Sequence, residues 1–379
     1  MTPELIESSE QMDTLLQQLK HEKLIAVDTE FFRETTYYPK LALVQIATDS
    51  IVACIDPLAF DAKPALCDLL LDTEITKIFH SCSQDMEVLF YYLGQTPASI
   101  YDTQIANALL SDHHQIGYAA LVENELGVQL DKSQTRTNWL QRPLTAKQVQ
   151  YAGDDVLYLY QLYFELNEKL QQLGRIAWFE EDSLLFNCSD NDFQVATDKL
   201  WKRVKGAARL NQQKLAIVQA VAVWREQLAQ QKDKTRRRIL GDDIIVNLAF
   251  NPPKDLSELK MLTKSSHNLN AGDNQQLFTV IESALQLSAD EWPDNRFSVL
   301  DDHQKTLLKT LQQMILKKVE ALDIAGAVLC SRKDLEKLIV YCDRQDKDED
   351  AMLPPLNICR GWRYECIGKQ LIAAIESQK

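Results

Sequence analysis

Glycine and proline are scarce in this chain. Each occurs 11 times in 379 residues, against average usages of roughly 7% and 5%, and so few turn-formers over such a length predict long helices. The eight cysteines (Cys54, Cys67, Cys82, Cys188, Cys330, Cys342, Cys359 and Cys366) include no C-x-x-C pair. That excludes a disulfide-stapled miniprotein and a zinc ribbon, and reduced thiols in a cytoplasmic protein are the expectation. No run of about 18 apolar residues exists, so no segment is expected to span a bilayer. The N-terminal MTPELIESSEQ is acidic and lacks the basic start and apolar core of a secretory signal.

A net positive charge is also missing: the formal charge is −14, which by itself argues against a polyanionic partner. The distribution alters that inference. Residues 1–190 carry −17 and residues 191–250 carry +6. Within 199–238, twelve lysines and arginines face only Glu226 and Asp233, a local +10. The acid lies in one half and the base in one stripe.

With 45% hydrophobic and 25% charged residues, the composition is globular, and the length suits two or three domains. From Leu24 the text changes to short apolar runs, LIAV (24–27), LALVQIAT (41–48) and IVACID (51–56), closely spaced as in an antiparallel meander. A helix around 63–71, a strand at 76–82, a helix over 83–93 and a long helix over about 145–173 follow. This is an α/β pattern on a mixed sheet. Polar stretches at 188–198 and 288–302 mark boundaries, which divides the chain into 1–190 and two all-helical segments, 208–288 and 296–379. The helical segments share a helix, a turn, an apolar pair, an acidic cap and a second amphipathic helix at 225–249 and 317–340. Duplication and ordinary bundle patterning both account for this.

In LIAVDTEFF, Asp28 and Glu30 follow four apolar residues. Residues two apart on a strand share a face, so the two carboxylates point together while Thr29 points away. Such a pair is a solvated strand end or an electrostatic problem that a cation solves. Asp85 opens the helix that follows the strand at 76–82, where a helix start also favours an acid for dipole reasons. In QVQYAGDDVLYLYQLYF, Tyr151 and Asp155 are four apart and therefore neighbours on one helix face. Asp154 points elsewhere, and His80 is expected to be structural or to face a substrate. Several carboxylates converging from a strand, a helix start and a long helix suit hard divalent cations, and paired ions serve in-line phosphoryl displacement.

The spacing D-x-E, then D, then Y-x-x-x-D resembles the DEDD-type 3′→5′ exonucleases with a tyrosine in the third motif. Within that group the chain resembles the ribonuclease D family, through VDTEFFRETTYYPKLALVQIA (27–47), KIFHSCSQDMEVL (77–89), IYDTQIANALL (100–110) and LDKSQTRTNWLQRPLTAKQVQYAGDDVLYL (130–159). The helical segments resemble helicase-and-RNase-D C-terminal (HRDC) modules, with WKRVKG (201–206) and WREQLA (224–229) as landmarks. The resemblance implies a ribonuclease H-like exonuclease domain followed by two HRDC-like bundles. It implies Asp28, Glu30, Asp85 and Asp155 as holders of two divalent ions, Mg²⁺ or Mn²⁺. Asp28 would bridge the ions, Glu30 and Asp155 would serve the water-activating one, and Asp85 the one near the leaving oxygen. Tyr151 would orient the attacking water. The implied reaction is 3′→5′ trimming of tRNA precursors and other small structured RNAs to 5′-mononucleotides, by a monomer with no obligate protein partner.

Gripping a single-stranded end requires stacking surfaces and phosphate donors. Candidates are Phe31 and Phe32 beside Glu30, and the basic, aromatic segment with Lys132, Arg136, Trp139 and Arg142. Lys234, Arg236, Arg237 and Arg238, in the +10 stripe, are candidates for contacting the body of an RNA. Two other readings stay open: a DNA-directed 3′→5′ exonuclease, since no residue identifiable here reads a 2′-hydroxyl, and an inactive nucleic-acid-binding adaptor.

Overall fold

The apolar runs form the centre of a six-stranded sheet. The computed structural model describes residues 1–131, 133–134, 137–184, 193, 195–264, 266, 268–293, 300–344 and 353–378. Strands β1 (Glu4–Ile6), β2 (Leu24–Phe32), β3 (Lys40–Ala47), β4 (Val52–Ile55), β5 (Thr76–Phe79) and β6 (Ile100–Asp102) lie in the order β1-β4-β3-β2-β5-β6. β3 and β4 pair antiparallel, with Gln45 opposite Cys54 and Ala47 opposite Val52. β1 runs parallel to β4, and β5 runs parallel to both β2 and β6. The sheet is therefore mixed, as expected. The two edge strands β1 and β6 were not foreseen, because three residues are too few for an alternating pattern to register.

Helices α1 (Ser9–Leu19), α2 (Lys63–Leu70), α3 (Ser83–Leu93), α4 (Thr103–Ala108), α5 (Tyr118–Leu126), α6 (Ala146–Gln172) and α7 (Ile176–Ser183) surround it. α6 starts where the sequence provides a capping box: the Thr145 hydroxyl accepts from the Gln148 N–H at 3.3 Å, and the Gln148 side chain accepts from the Thr145 N–H at 3.0 Å. Its buried residues Ala152, Val156, Leu159, Leu162, Leu166 and Leu170 recur every three or four positions. That stripe meets Ala26, Ala47, Val52 and Ile78 of the sheet. Gly153 permits the close approach, since a Cβ there would lie 2.1 Å from Pro3 Cγ and 3.2 Å from Val52 Cγ1.

The chain divides into two compact units. One comprises Met1–Phe31, Leu41–Ser189 and Ser298–Lys379, and the other Phe32–Lys40 and Asp190–Phe297. This differs in two ways from a simple succession of segments. In the second unit, α8 (Gln212–Gln231), α9 (Arg236–Ile239), α10 (Asp242–Phe250), α11 (Leu256–Leu262) and α12 (Ala271–Leu285) enclose a core that includes Leu215, Val218, Leu248, Leu277 and Ile281. Residues 32–40 join that core through Tyr37, whose hydroxyl donates to Glu226 and whose backbone N–H donates to Asp233 Oδ1 at 2.9 Å.

The C-terminal helices α13 (Asp302–Leu322), α14 (Gly326–Leu329) and α15 (Arg332–Arg344) belong to the sheet-bearing unit. The Trp362 ring stacks on Trp178 of α7 at 4.3 Å, and the Arg363 guanidinium grips Asp182 at 2.5 and 2.9 Å. Gly361, at φ +54°, makes that turn possible: a Cβ would fall 1.7 Å from Glu181 Oε1. No disulfide joins the described cysteines, Cys188 lying outside them. No described helix is long and apolar enough to cross a membrane.

Candidate active site

β2 delivers the first two carboxylates. Asp28 and Glu30 follow Ala26 at intervals of two, and Ala26 packs into the core beneath α6, so all three side chains share that face. α6 brings Tyr151 and Asp155 to the same place one turn apart, and the tyrosine hydroxyl donates to the Asp155 carboxylate. Asp85 arrives from the first turn of α3, which follows β5 after three residues in a tight bend, with Ser81 at φ +57°. A cleft of about 350 Å³ opens here, with Asp28, Tyr151, Asp155, His80 and Tyr118 in its lining.

The acids perturb one another. Burial pushes the Glu30 carboxyl up to about 10, and the charges of Asp28, Asp155 and Asp85 add to the effect. Burial, and then the charge of Asp28, raise Asp155 to about 8, against the stabilising hydrogen bond from Tyr151. Asp28 is raised by burial to about 6. Asp85 is raised well above the usual carboxylate range, by burial and then by Asp28. Four acids from three elements thus share one poorly solvated space.

Among the described residues, no three His, Cys, Asp or Glu side chains are gathered tightly enough to hold an ion as they stand. The donor chemistry nonetheless fits a hard divalent cation. All four are oxygen ligands, and ionising them together without a counter-charge is costly.

Thr29 and Tyr118 receive no role at this centre from the sequence. Thr29 points to the opposite face, as expected, but there its hydroxyl donates to Asp85, which approaches from that side. Tyr118 hydrogen-bonds to the Asp154 backbone carbonyl at 3.0 Å and lies against the His80 ring at 5.7 Å. Its place is the first residue of α5, behind a loop without periodic signal. His80 touches Thr103 Oγ1 at 2.9 Å and the Ile116 carbonyl at 3.1 Å. Burial lowers its pKa, against the opposing charge of Asp102. The Asp154 side chain accepts from Gln150 at 2.9 Å.

The residues proposed from sequence to hold RNA fare unevenly. Phe31 and Phe32 are half-buried at the end of β2. Lys132 and Arg136 lie outside the described residues. Trp139 is 4% exposed and packs with Leu43, Cys54 and Ala152, its ring 6.1 Å from that of Tyr151. It supports the tyrosine from behind and has no face for a base.

Arg142 is also internal. It reaches the almost fully buried Asp56 carboxylate through Nε at 2.5 Å and Nη2 at 2.7 Å, and the carbonyls of Ala42 and Trp139 at 2.8 and 2.7 Å. Its basicity suggested a phosphate donor, but its donors are spent inside. Arg142→Ala should therefore cost about 3 kcal/mol or more by stranding a buried charge. The expected readout is a lowered melting temperature with an unchanged KM for RNA, and Arg142→Lys should not restore the two-pronged contact.

The +10 stripe is thinner than its count. Arg225 pairs with Asp242 at 2.6 Å, Lys232 with Asp273 and Arg236 with Glu226, the last against the Tyr37 ring. Lys234 donates to Asn268 at 2.7 Å. Arg236 is a structural ion-pair partner in place of the expected RNA contact, and Lys234 is partly committed. Arg237 and Arg238 are exposed.

Residues 3–171 match the 3′-5′ exonuclease family, and residues 214–269 match the HRDC domain. Ribonuclease D of Pseudomonas paraeruginosa is 34% identical over 93% of this chain and 92% of its own length. That of Zymomonas mobilis is 34% identical over 99% of this chain and 94% of its own. The crystal structure of Escherichia coli RNase D, described as an exoribonuclease involved in structured RNA processing, superposes with a TM-score of 0.83. It is 29% identical and covers 100% of this chain and 99% of that one. Near-complete coverage in both directions, together with strand, helix-start and long-helix acids that perturb one another, places the chain in the ribonuclease D family.

Proposed function

We propose that this chain is a 3′→5′ exoribonuclease that removes 5′-mononucleotides from the ends of tRNA precursors and other small structured RNAs. The observation that carries the reading is the group of four mutually perturbing acids, Asp85 buried and the others half-buried, beside a cleft whose wall includes Asp28, Asp155 and Tyr151. Asp28, Glu30, Asp85 and Asp155 would hold two divalent ions, Mg²⁺ or Mn²⁺, which when bound polarise the scissile phosphate and acidify water. A phenol such as that of Tyr151 is a poor general base at neutral pH. Its hydroxyl orients, as it already does toward Asp155. Thr29 fixes Asp85 from the opposite face of the strand. Half-buried Phe31 and Phe32 offer apolar surface to a terminal base.

A second HRDC-like module over 296–379 is part of the proposal. α13, α14 and α15 repeat the order long helix, four-residue helix, amphipathic helix of α8, α9 and α10. Each four-residue helix ends on an extended residue, Leu240 at φ −153°, ψ 129° and Cys330 at φ −161°, ψ 129°. A cytoplasmic monomer without obligate protein partners completes the reading.

The test is digestion of 5′-labelled RNA and DNA oligonucleotides with Mg²⁺, Mn²⁺ or chelator. A ladder shortening from the RNA 3′ end, absent with chelator, is expected. Digestion of DNA alone, or tight binding without cleavage, would overturn the proposal. For the basic stripe, Arg237→Ala with Arg238→Ala should weaken RNA binding and flatten its salt dependence by roughly two units of slope, one per lost phosphate contact. Arg236→Ala should lower the melting temperature instead.

A further inference from the structure

β3 carries a polar residue in its most buried stretch. Gln45 is 0% exposed, between Val44 and Ile46, and neither Oε1 nor Nε2 has a hydrogen-bond partner among the described residues. Other buried polar atoms without partners, such as the Trp139 and Trp224 indole nitrogens, are single atoms; Gln45 alone among the described side chains leaves both ends of its polar group unmatched. A buried group left unsatisfied is costly, and its presence in a strand core calls for a physical reason.

Its position supplies one. Gln45 is directly opposite Cys54 on β4, and opposed residues of an antiparallel pair project to the same face. On that face the Cys54 thiol donates to the Val149 carbonyl of α6 at 3.7 Å and feels the charge of Asp155. Two residues to either side along β3, Leu43 packs with Ala152, and Ala47 joins the core that contains Val156. Gln45 therefore lies beneath the turn of α6 that carries Asp155. It shares its face with Asp28 and Glu30 of the adjacent strand β2.

We infer that Gln45 is a positioning residue for Asp155: its Nε2–H supports that carboxylate, directly or through one buried water, when the carboxylate faces a divalent cation. The inference rests on the proposed metal-holding role of the acids. An amide donor at the floor of the site fixes one rotamer of the carboxylate above it, and supports of this kind change metal affinity or activity by about 10- to 100-fold.

The experiment compares wild type with Gln45→Met, which keeps the length and removes the polar group. Melting temperatures are measured in EDTA and in Mn²⁺, and kcat and KM on an RNA oligonucleotide. A merely unsatisfied amide would give a protein of equal or higher melting temperature with full activity. The positioning role predicts equal or higher melting temperature in EDTA, at least a halving of the Mn²⁺-induced rise, and a kcat about 10-fold lower or more with KM within twofold. Wild-type kcat with a full Mn²⁺ response overturns it. Should Gln45→Met fail to fold, Gln45→Leu is read by the same criteria, and failure of both makes Gln45 a structural residue and overturns the role. A wild type that shows neither a Mn²⁺ response nor metal-dependent cleavage removes the metal-site reading itself, whereas a responsive wild type with an equally responsive Gln45→Met removes only the role of Gln45.

Discussion

Asp155→Asn is expected to abolish RNA trimming while raising the melting temperature of the metal-free protein. The two effects have one cause. Asp155 sits in a poorly solvated space with Asp28, and its pKa is pushed up to about 8, so keeping it in the fold costs stability progressively as pH rises from about 4 to 8 and in full above that. Asparagine has the same shape, can still accept the Tyr151 hydroxyl and carries no charge, so the repulsion disappears. The chemistry loses far more. Metal stabilisation of a phosphoryl transition state supplies several kcal/mol, and at 1.36 kcal/mol per factor of ten a loss of about 4 kcal/mol is roughly a thousandfold in kcat. Thermal denaturation in EDTA and oligonucleotide digestion, performed on one preparation, separate the terms. A melting temperature that falls with the activity would show that the carboxylate serves the fold, and the assignment of Asp155 to the site would fail.

The acids were legible in the sequence because each depends on local geometry alone. Two residues apart on a strand place Asp28 and Glu30 together, and four apart on a helix place Tyr151 beside Asp155. Asp85 follows from a strand that ends where a helix begins. Arg142 and Trp139 read as RNA contacts for the opposite reason: what they pair with or pack against is distant in sequence, whereas the Glu226 partner of Arg236 lies within the basic stripe itself. The Asp56 partner of Arg142 is 86 residues away, and the acids that neutralise Arg225 and Lys232, Asp242 and Asp273, lie outside the window in which the charge stands out. A charge count along the chain cannot register an ion pair across a turn of the fold. The placement of the C-terminal helices was hidden likewise, since it depends on Trp362 and Arg363 meeting Trp178 and Asp182 some 180 positions earlier.

The metal-free protein should lose stability as pH rises, and a divalent ion should reverse the trend. Asp28, Asp155 and Glu30 have pKa values of about 6, 8 and 10 in the fold, against roughly 3.9 for aspartate and 4.3 for glutamate in an unfolded chain. Between pH 4 and 10 the folded state therefore holds more protons than the unfolded one. Unfolding stability then falls with pH, because its slope follows the protons bound by the unfolded state minus those bound by the folded state. A bound cation favours the ionised carboxylates and releases those protons, so its affinity strengthens over the same window. Melting temperature in EDTA should fall from pH 5.5 to 8.5, and the increment gained on adding Mn²⁺ should be larger at pH 8.5 than at 5.5. Glu30→Gln should flatten the EDTA curve most, since that carboxyl has the highest of the three values and feels all of its neighbours. A curve that is flat or rising in EDTA would mean that the acids are solvated and independent. The electrostatic coupling that distinguishes this cleft from an ordinary acidic surface would then be gone.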